Sequence, residues 1–262
     1  MSFLFLWGRP VAYLAIALGL GLSLIWGWHT PPVLADSFNC FQAGNCSPPA
    51  LSNSSTCLEN RDYTVTVLDR VSPVTILSFH GGKIELNTSI ISAKLQQLND
   101  WNRYDLNAQA TACCLEGKNH YQRLHITSTR FDDPRAVNLV KQYPKSVAIH
   151  GYDRAYPQGT ICVGGANAPQ IQTFIKQVNQ QKSLFSNYDL RPINAPQLTN
   201  SGDDCYDLKG TSSTNLVNRN GSGKGLQLEL SKQMRSDLVN PSASYDVLRQ
   251  IIFEAISQAM RA

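Results

Sequence analysis

The sequence predicts a single α/β domain with a mixed, mostly parallel sheet and helices on both faces. Three observations predict it. Strand-like apolar runs alternate with amphipathic helical segments from Tyr63 to the C terminus, and no linker divides them. Two of those runs, TILSFHGG and VAIHG, close on a histidine followed by glycine, at the strand ends where open α/β sheets place their ligands.

The elements follow in order. Only Arg9 carries positive charge in the first ten residues, and Val11 to Trp28 then runs uncharged until His29, Pro31 and Pro32 interrupt it. Residues 1–35 therefore read as a secretory signal cut before Asp36, with an uncleaved membrane anchor as the alternative; either places the remainder in an oxidising compartment. Residues 36–60 are rich in Ser, Asn, Pro and Cys and read as an irregular leader, and residues 61–262 as the domain. Tyr63 to Leu68 and Val74 to Phe79 have strand patterns. From Thr88, residues Ile90, Ile91, Leu95, Leu98 and Trp101 recur at helical spacing, with Asn87 or Thr88 available as the cap.

Arg123 to Thr127 reads as a strand, and Asp133-Pro134 opens a helix through Val137, Leu139 and Val140. Ser146 to Ile149 is a strand delivering His150, and Thr160 to Val163 is another, ended by Gly164-Gly165. Pro169 opens a helix carrying Ile171, Ile175 and Val178. Residues 194–210 read as a polar loop, Gly225 to Ser231 as a strand, and Tyr245 to Met260 as a terminal amphipathic helix.

Charge narrows the function. A net charge of +4 from scattered basic residues, without a Lys/Arg stripe interleaved with aromatics, argues against nucleic acid and leaves arginines free for an anionic substrate. No protein partner is expected, and a membrane only if residues 1–35 are retained. Seven cysteines, Cys40, Cys46, Cys57, Cys113, Cys114, Cys162 and Cys205, fit no Cys-x-x-Cys metal pattern and suggest disulfides. Cys40, Cys46 and Cys57 are expected to pin the leader, and Cys162, inside an apolar run, to be the unpaired thiol.

A catalytic zinc takes three protein ligands and keeps one position open. His80 and Glu85 supply two donors across a Gly81-Gly82 turn, and His150 supplies the third from a strand of like context. A lone histidine more often hydrogen-bonds within a fold; the shared strand-end setting favours one metal ion here. His29, His120 and His125 are left outside, His125 as a satisfied, partly buried side chain. In GLQLEL the leucines face one way and Glu229 the other, so Glu229 is the candidate general acid/base, against the ordinary reading of a solvated strand glutamate. Residues 218–225 imitate a phosphate loop with the wrong spacing. Arg219, Arg130 and Arg154 are the candidate substrate-binding cations, Arg219 possible as an oxyanion donor, and Arg235 has less support.

The segments SFHGGKIE, LHITSTRFDDPRA, VAIHGYD, CVGGAN and NRNGSGKGLQLELSKQMR, in that order, resemble the poly-gamma-glutamate hydrolase family, relatives of phage enzymes with a zinc carboxypeptidase-like fold. The similarity runs from about Asp62 to the C terminus. It implies one zinc ion on His80, Glu85 and His150, Glu229 as general acid/base, and cleavage of gamma-linked glutamyl amides. The expected protein is thus an exported zinc amide hydrolase, periplasmic or extracellular, acting on an anionic gamma-glutamyl or other peptide-like substrate. The rivals are a peptidoglycan N-acetylmuramoyl-alanine amidase and a secreted binding module with a structural zinc.

Overall fold

In the computed structural model, residues 57–115 and 118–262 are described; the expected signal and most of the leader, with Cys40 and Cys46, lie outside them. Seven strands form one mixed sheet: β1 (Tyr63–Leu68), β2 (Val74–Gly82), β3 (Asn102–Ala108), β4 (Lys145–Tyr152), β5 (Thr160–Gly165), β6 (Arg191–Asn194) and β7 (Leu226–Ser231). Their spatial order is β1-β3-β2-β4-β7-β5-β6. The β1/β3 and β5/β7 pairs are antiparallel, and every other neighbouring pair is parallel. Six helices accompany the sheet among the described residues: α1 (Thr88–Asn99), α2 (His120–Leu124), α3 (Pro134–Gln142), α4 (Ala168–Gln181), α5 (Lys232–Val239) and α6 (Asp246–Arg261).

The period-2 alternation of the strands divides the interior into two layers. Ile76, Val147, Ile149, Leu226, Leu228 and Leu230 pack on one face beneath α1, α4, α5 and α6, through Ile91, Leu95, Phe174, Met234 and Ile252. Leu77, Phe79, Tyr104, Leu106 and Ala148 pack on the other, beneath α3 and the segments carrying Ile126, Phe131 and Val217. Helices therefore cover both faces. None among the described residues is long and apolar enough to cross a membrane.

Several expectations are corrected. Arg123 to Thr127 is not a strand: Asn119 and Gln122 form a capping box that starts α2, and the chain leaves the helix at His125. Strand β3 has no strand signature because its sequence, NRYDLNA, is largely polar; its buried Asn102 accepts hydrogen bonds from the Arg70 and Ser72 amides, which offsets the cost of burying it. Strand β6 and helix α5 are further elements that the sequence pattern does not predict. In α1, Ile90 and Leu98 are exposed and the buried stripe is Thr88, Ile91, Ser92, Leu95 and Gln96. Asn87 precedes the helix with a φ of 73° and makes no side-chain cap. Thr88 instead turns inward, donating to the Glu85 carbonyl at 2.9 Å and accepting from Ser78 Oγ at 2.9 Å.

Cys162 is not free: it is bonded to Cys205, fastening the 194–210 loop to β5. A second disulfide joins Cys57 to Cys114, so the end of the leader is tied to the domain. Arg135 reinforces that junction, holding Glu59 at 2.9 and 3.0 Å and the α3 cap Asp133 at 2.8 Å.

The feature that positions the site is an irregularity in β2. Ser78 pairs with Asp105 but Gly81 with Asn107, three steps against two, a bulge of the kind that re-aims side chains at sheet ends. Gly82 has a φ of 65°, and a Cβ there would fall 2.3 Å from the Ala108 carbonyl oxygen. Gly82→Ala should therefore destabilise the domain by roughly 2 kcal/mol, read as a lowered midpoint in denaturant unfolding; an unchanged midpoint would refute the packing role given to this turn.

Candidate metal centre and acid/base site

His80, His150 and Glu229 stand at the carboxyl ends of three adjacent parallel strands, β2, β4 and β7, and His150 is the register partner of Glu229. Glu85 joins them from the turn after β2, where its amide donates to the His80 carbonyl at 2.8 Å and Thr88 fixes its own carbonyl. All four side chains are buried.

His80 Nε2 lies 2.7 Å from the Ile126 carbonyl oxygen, an acceptor that requires the proton on Nε2 and leaves the Nδ1 lone pair facing inward. That Nδ1 is 3.0 Å from Glu85 Oε1 and 3.1 Å from His150 Nδ1, while His150 Nδ1 is 3.6 Å from Glu85 Oε2. The Gly151 amide donates to the same Oε2 at 2.8 Å and holds the carboxylate in place. Burial alone would raise the pKa of Glu85, but His80 and His150 outweigh it and hold it well below the ordinary range. For His150 burial works against protonation, yet the Glu229 and Glu85 carboxylates prevail and raise its pKa.

This donor set fits zinc. Ligand distances of about 2.0–2.2 Å place neighbouring donors of a tetrahedral ion roughly 3.2–3.5 Å apart, close to the separations among His80, Glu85 and His150. His125, expected outside the site, in fact borders it. Its Nε2 is 3.9 Å from Glu85 Oε1, and one donor atom each from His80, Glu85 and His125 also falls within 4.8 Å. The two neighbouring histidines meet His80 in different ways. The His80 and His125 rings are tilted by 37° with centroids 4.0 Å apart, whereas the His80 and His150 rings meet at 62° with their Nδ1 atoms 3.1 Å apart. His125 lies at a tilt against His80 and stacks on Tyr121, and burial drives its pKa down to about 3 and keeps it neutral.

Glu229 belongs to a buried chain of amides. Asn215 Nδ2 donates to Gln227 Oε1 at 2.7 Å, which turns the Gln227 amino group toward Glu229 Oε1 at 2.9 Å. Desolvation pushes the Glu229 pKa up to about 7, with Glu85 adding to it and His150 and Arg235 opposing. A carboxylic acid poised there can take up and release a proton near neutrality.

The side chains open onto a cleft of about 910 Å³ walled by Tyr121, Tyr152, the 206–212 segment and Arg154. Of the three expected substrate cations only Arg154 lines it, exposed and paired with Asp207 at 3.2 Å. Arg219 does not face the cleft: its guanidinium is consumed by the carbonyls of Thr214, Phe131 and Thr129, buckling two loops together, so it is not placed to meet an oxyanion. Arg130 is exposed and outside the cleft lining. Arg235, which the sequence ranked last, does line it.

The family model for poly-gamma-glutamate hydrolases matches residues 51–247. The chain belongs to the poly-gamma-glutamate hydrolase family. Among relatives in Bacillus subtilis strain 168, YmaC is 31% identical over 72% of this chain and 71% of its own length. The SPbeta prophage-derived protein YoqZ is 30% identical over 68% of this chain, but the match spans only 56% of YoqZ. Among solved structures, a bacteriophage poly-gamma-glutamate hydrolase superposes with a TM-score of 0.60 at 24% identity, covering 76% of this chain and 90% of that one. A zinc-free structure of YndL gives a TM-score of 0.58 at 24% identity, covering 76% and 91%. The chain accordingly shares the fold of the phage enzyme.

If His150 is the third ligand, His150→Ala should lose tightly bound divalent metal, whereas His125→Ala should retain it with affinity reduced by about 10-fold or less. Calorimetric titration distinguishes them, and the reverse pattern would transfer the ligand role to His125. Because protons compete for His150, wild-type affinity should fall as the pH is lowered.

Proposed function

We propose that the protein is an exported zinc-dependent amide hydrolase that cleaves gamma-glutamyl linkages. The observation that carries the reading is the convergence of His80 Nδ1, His150 Nδ1 and the Glu85 carboxylate beside a carboxylic acid poised near neutrality, at the floor of an open cleft. A zinc ion held by the three ligands would polarise a carbonyl and lower the proton affinity of water. Glu229 accepts a proton from the attacking water and returns it to the departing nitrogen, expelling an amine. Gln227 holds one Glu229 oxygen, which leaves the other to meet the water. His125 and Tyr121, stacked on each other, form part of the cleft wall.

Export is supported by the charge-free segment from Val11 to Trp28 and by two disulfides, which persist in oxidising compartments. The gamma-glutamyl substrate is supported by family membership and by the cationic side chains in the cleft. An open approach to the metal site favours catalysis over a closed structural zinc.

The purified protein should release new amines from poly-gamma-glutamate and not from peptidoglycan, and a chelator should abolish the release until zinc is restored. Release from peptidoglycan alone would establish the amidase reading, and zinc binding without hydrolysis of either would establish a structural ion. Glu229→Gln should keep the metal and lower turnover by about 10²–10⁴-fold; wild-type turnover in that variant would remove Glu229 from the mechanism.

A further inference from the structure

Helix α5 starts immediately after the strand bearing Glu229, with Ser231 capping it by accepting from the Met234 amide at 3.1 Å. Its first turn brings Arg235 to the base of the cleft, where the side chain is only 4% exposed. The guanidinium lies against the backbone of Gly151. A Cβ at that position would fall 2.1 Å from Cζ and 2.2 Å from Nη1, so the glycine that orients Glu85 through its amide also makes room for the arginine.

The donors of this buried cation are mostly unspent. Nη1 donates to the Leu86 carbonyl at 2.9 Å. Nε is enclosed without an acceptor, and Nη2 makes no hydrogen bond to any described residue. Glu85, Glu229 and Asp153 attract the guanidinium from a distance, but no described carboxylate is close enough to form an ion pair with it. Arg154, by contrast, has Asp207, and Arg219 has three carbonyls. Burying a charge without a counter-ion is unfavourable, and a divalent ion on the neighbouring ligands would raise the positive potential further. The arrangement is balanced when an anion enters the cleft.

We propose that Arg235 determines the substrate specificity of this cleft: its free Nη2 edge receives a carboxylate of the substrate, and that contact sets which amide lies between Glu229 and the His80, Glu85 and His150 cluster. The inference rests on the amide-hydrolase reading above and narrows it to amides that carry a carboxylate close to the bond cleaved. Gamma-linked glutamyl chains meet this requirement at every residue, because the linkage uses the side-chain carboxyl and leaves the α-carboxylate free. The planar guanidinium suits such a group better than an ammonium would.

The test compares a gamma-linked glutamate oligomer with the same oligomer amidated at its α-carboxyls, by calorimetry and by amine release, using the full chain loaded with zinc. Wild type should bind the acid form at least about 10-fold more tightly, the scale of a buried charge-assisted contact. Arg235→Gln should lose that preference, mainly as a higher KM, while keeping its zinc, and Arg235→Lys should recover part of it. Equal binding of both oligomers by wild type, or a preference that survives in Arg235→Gln, would overturn the assignment. Should Arg235→Gln fail to fold, the wild-type comparison decides alone. Absence of amine release from either oligomer would count against the hydrolase reading; the binding preference is judged separately.

Discussion

The carboxylate of Glu85 is the group around which the site is organised. Buried, it stays ionised because two imidazoles and the Gly151 amide surround it. His80 comes from β2 and His150 and Gly151 from β4, while Glu85 lies in the turn between β2 and α1, so one anion ties these three segments together. The bulge in β2 brings His80 to this anion, and Ile126 selects the histidine tautomer that turns a lone pair toward it. The same geometry gathers several donors at one point, which a divalent cation would satisfy together.

Around that point the protein separates its two buried glutamates by environment. Glu85, embraced by donors, is held ionised; Glu229, facing the cleft from β7 and desolvated, is pushed toward neutrality. Two carboxyls of the same chemical type are thereby driven to opposite protonation tendencies by their surroundings. Arg235 completes the set on the cationic side. Its enclosure beneath Gly151 shows how a glycine can serve the site twice, through its amide and through the side chain it lacks.

The cleft wall is made by a segment that has little regular structure. Residues 206–212 reach the cleft because Cys205 is bonded to Cys162 on β5 and because Tyr152, Ala195 and Leu208 pack around that bond. A covalent tie replaces the hydrogen-bonded ladder that would otherwise fix such a loop. The apolar neighbours of Cys162 are equally compatible with a buried thiol and a buried disulfide, so only the fold reveals its partner.

The sequence alone determined the elements whose signal is local. The strands ending at His80 and His150, the leucine alternation that turns Glu229 away from the core, and the Asp133-Pro134 helix start all follow from periodicity and capping within a few residues. Tertiary structure decided the rest, because the relevant partners are remote. The polar strand β3 is stabilised by neighbours on both sides, His125 reaches the site by lying against His80, Arg219 is spent on carbonyls up to 90 residues away, and Arg235 of α5 packs against a glycine of β4. Residue type announces which chemistry is possible; the environment that assigns a charge, a tautomer or a direction exists only once the sheet has brought distant segments together.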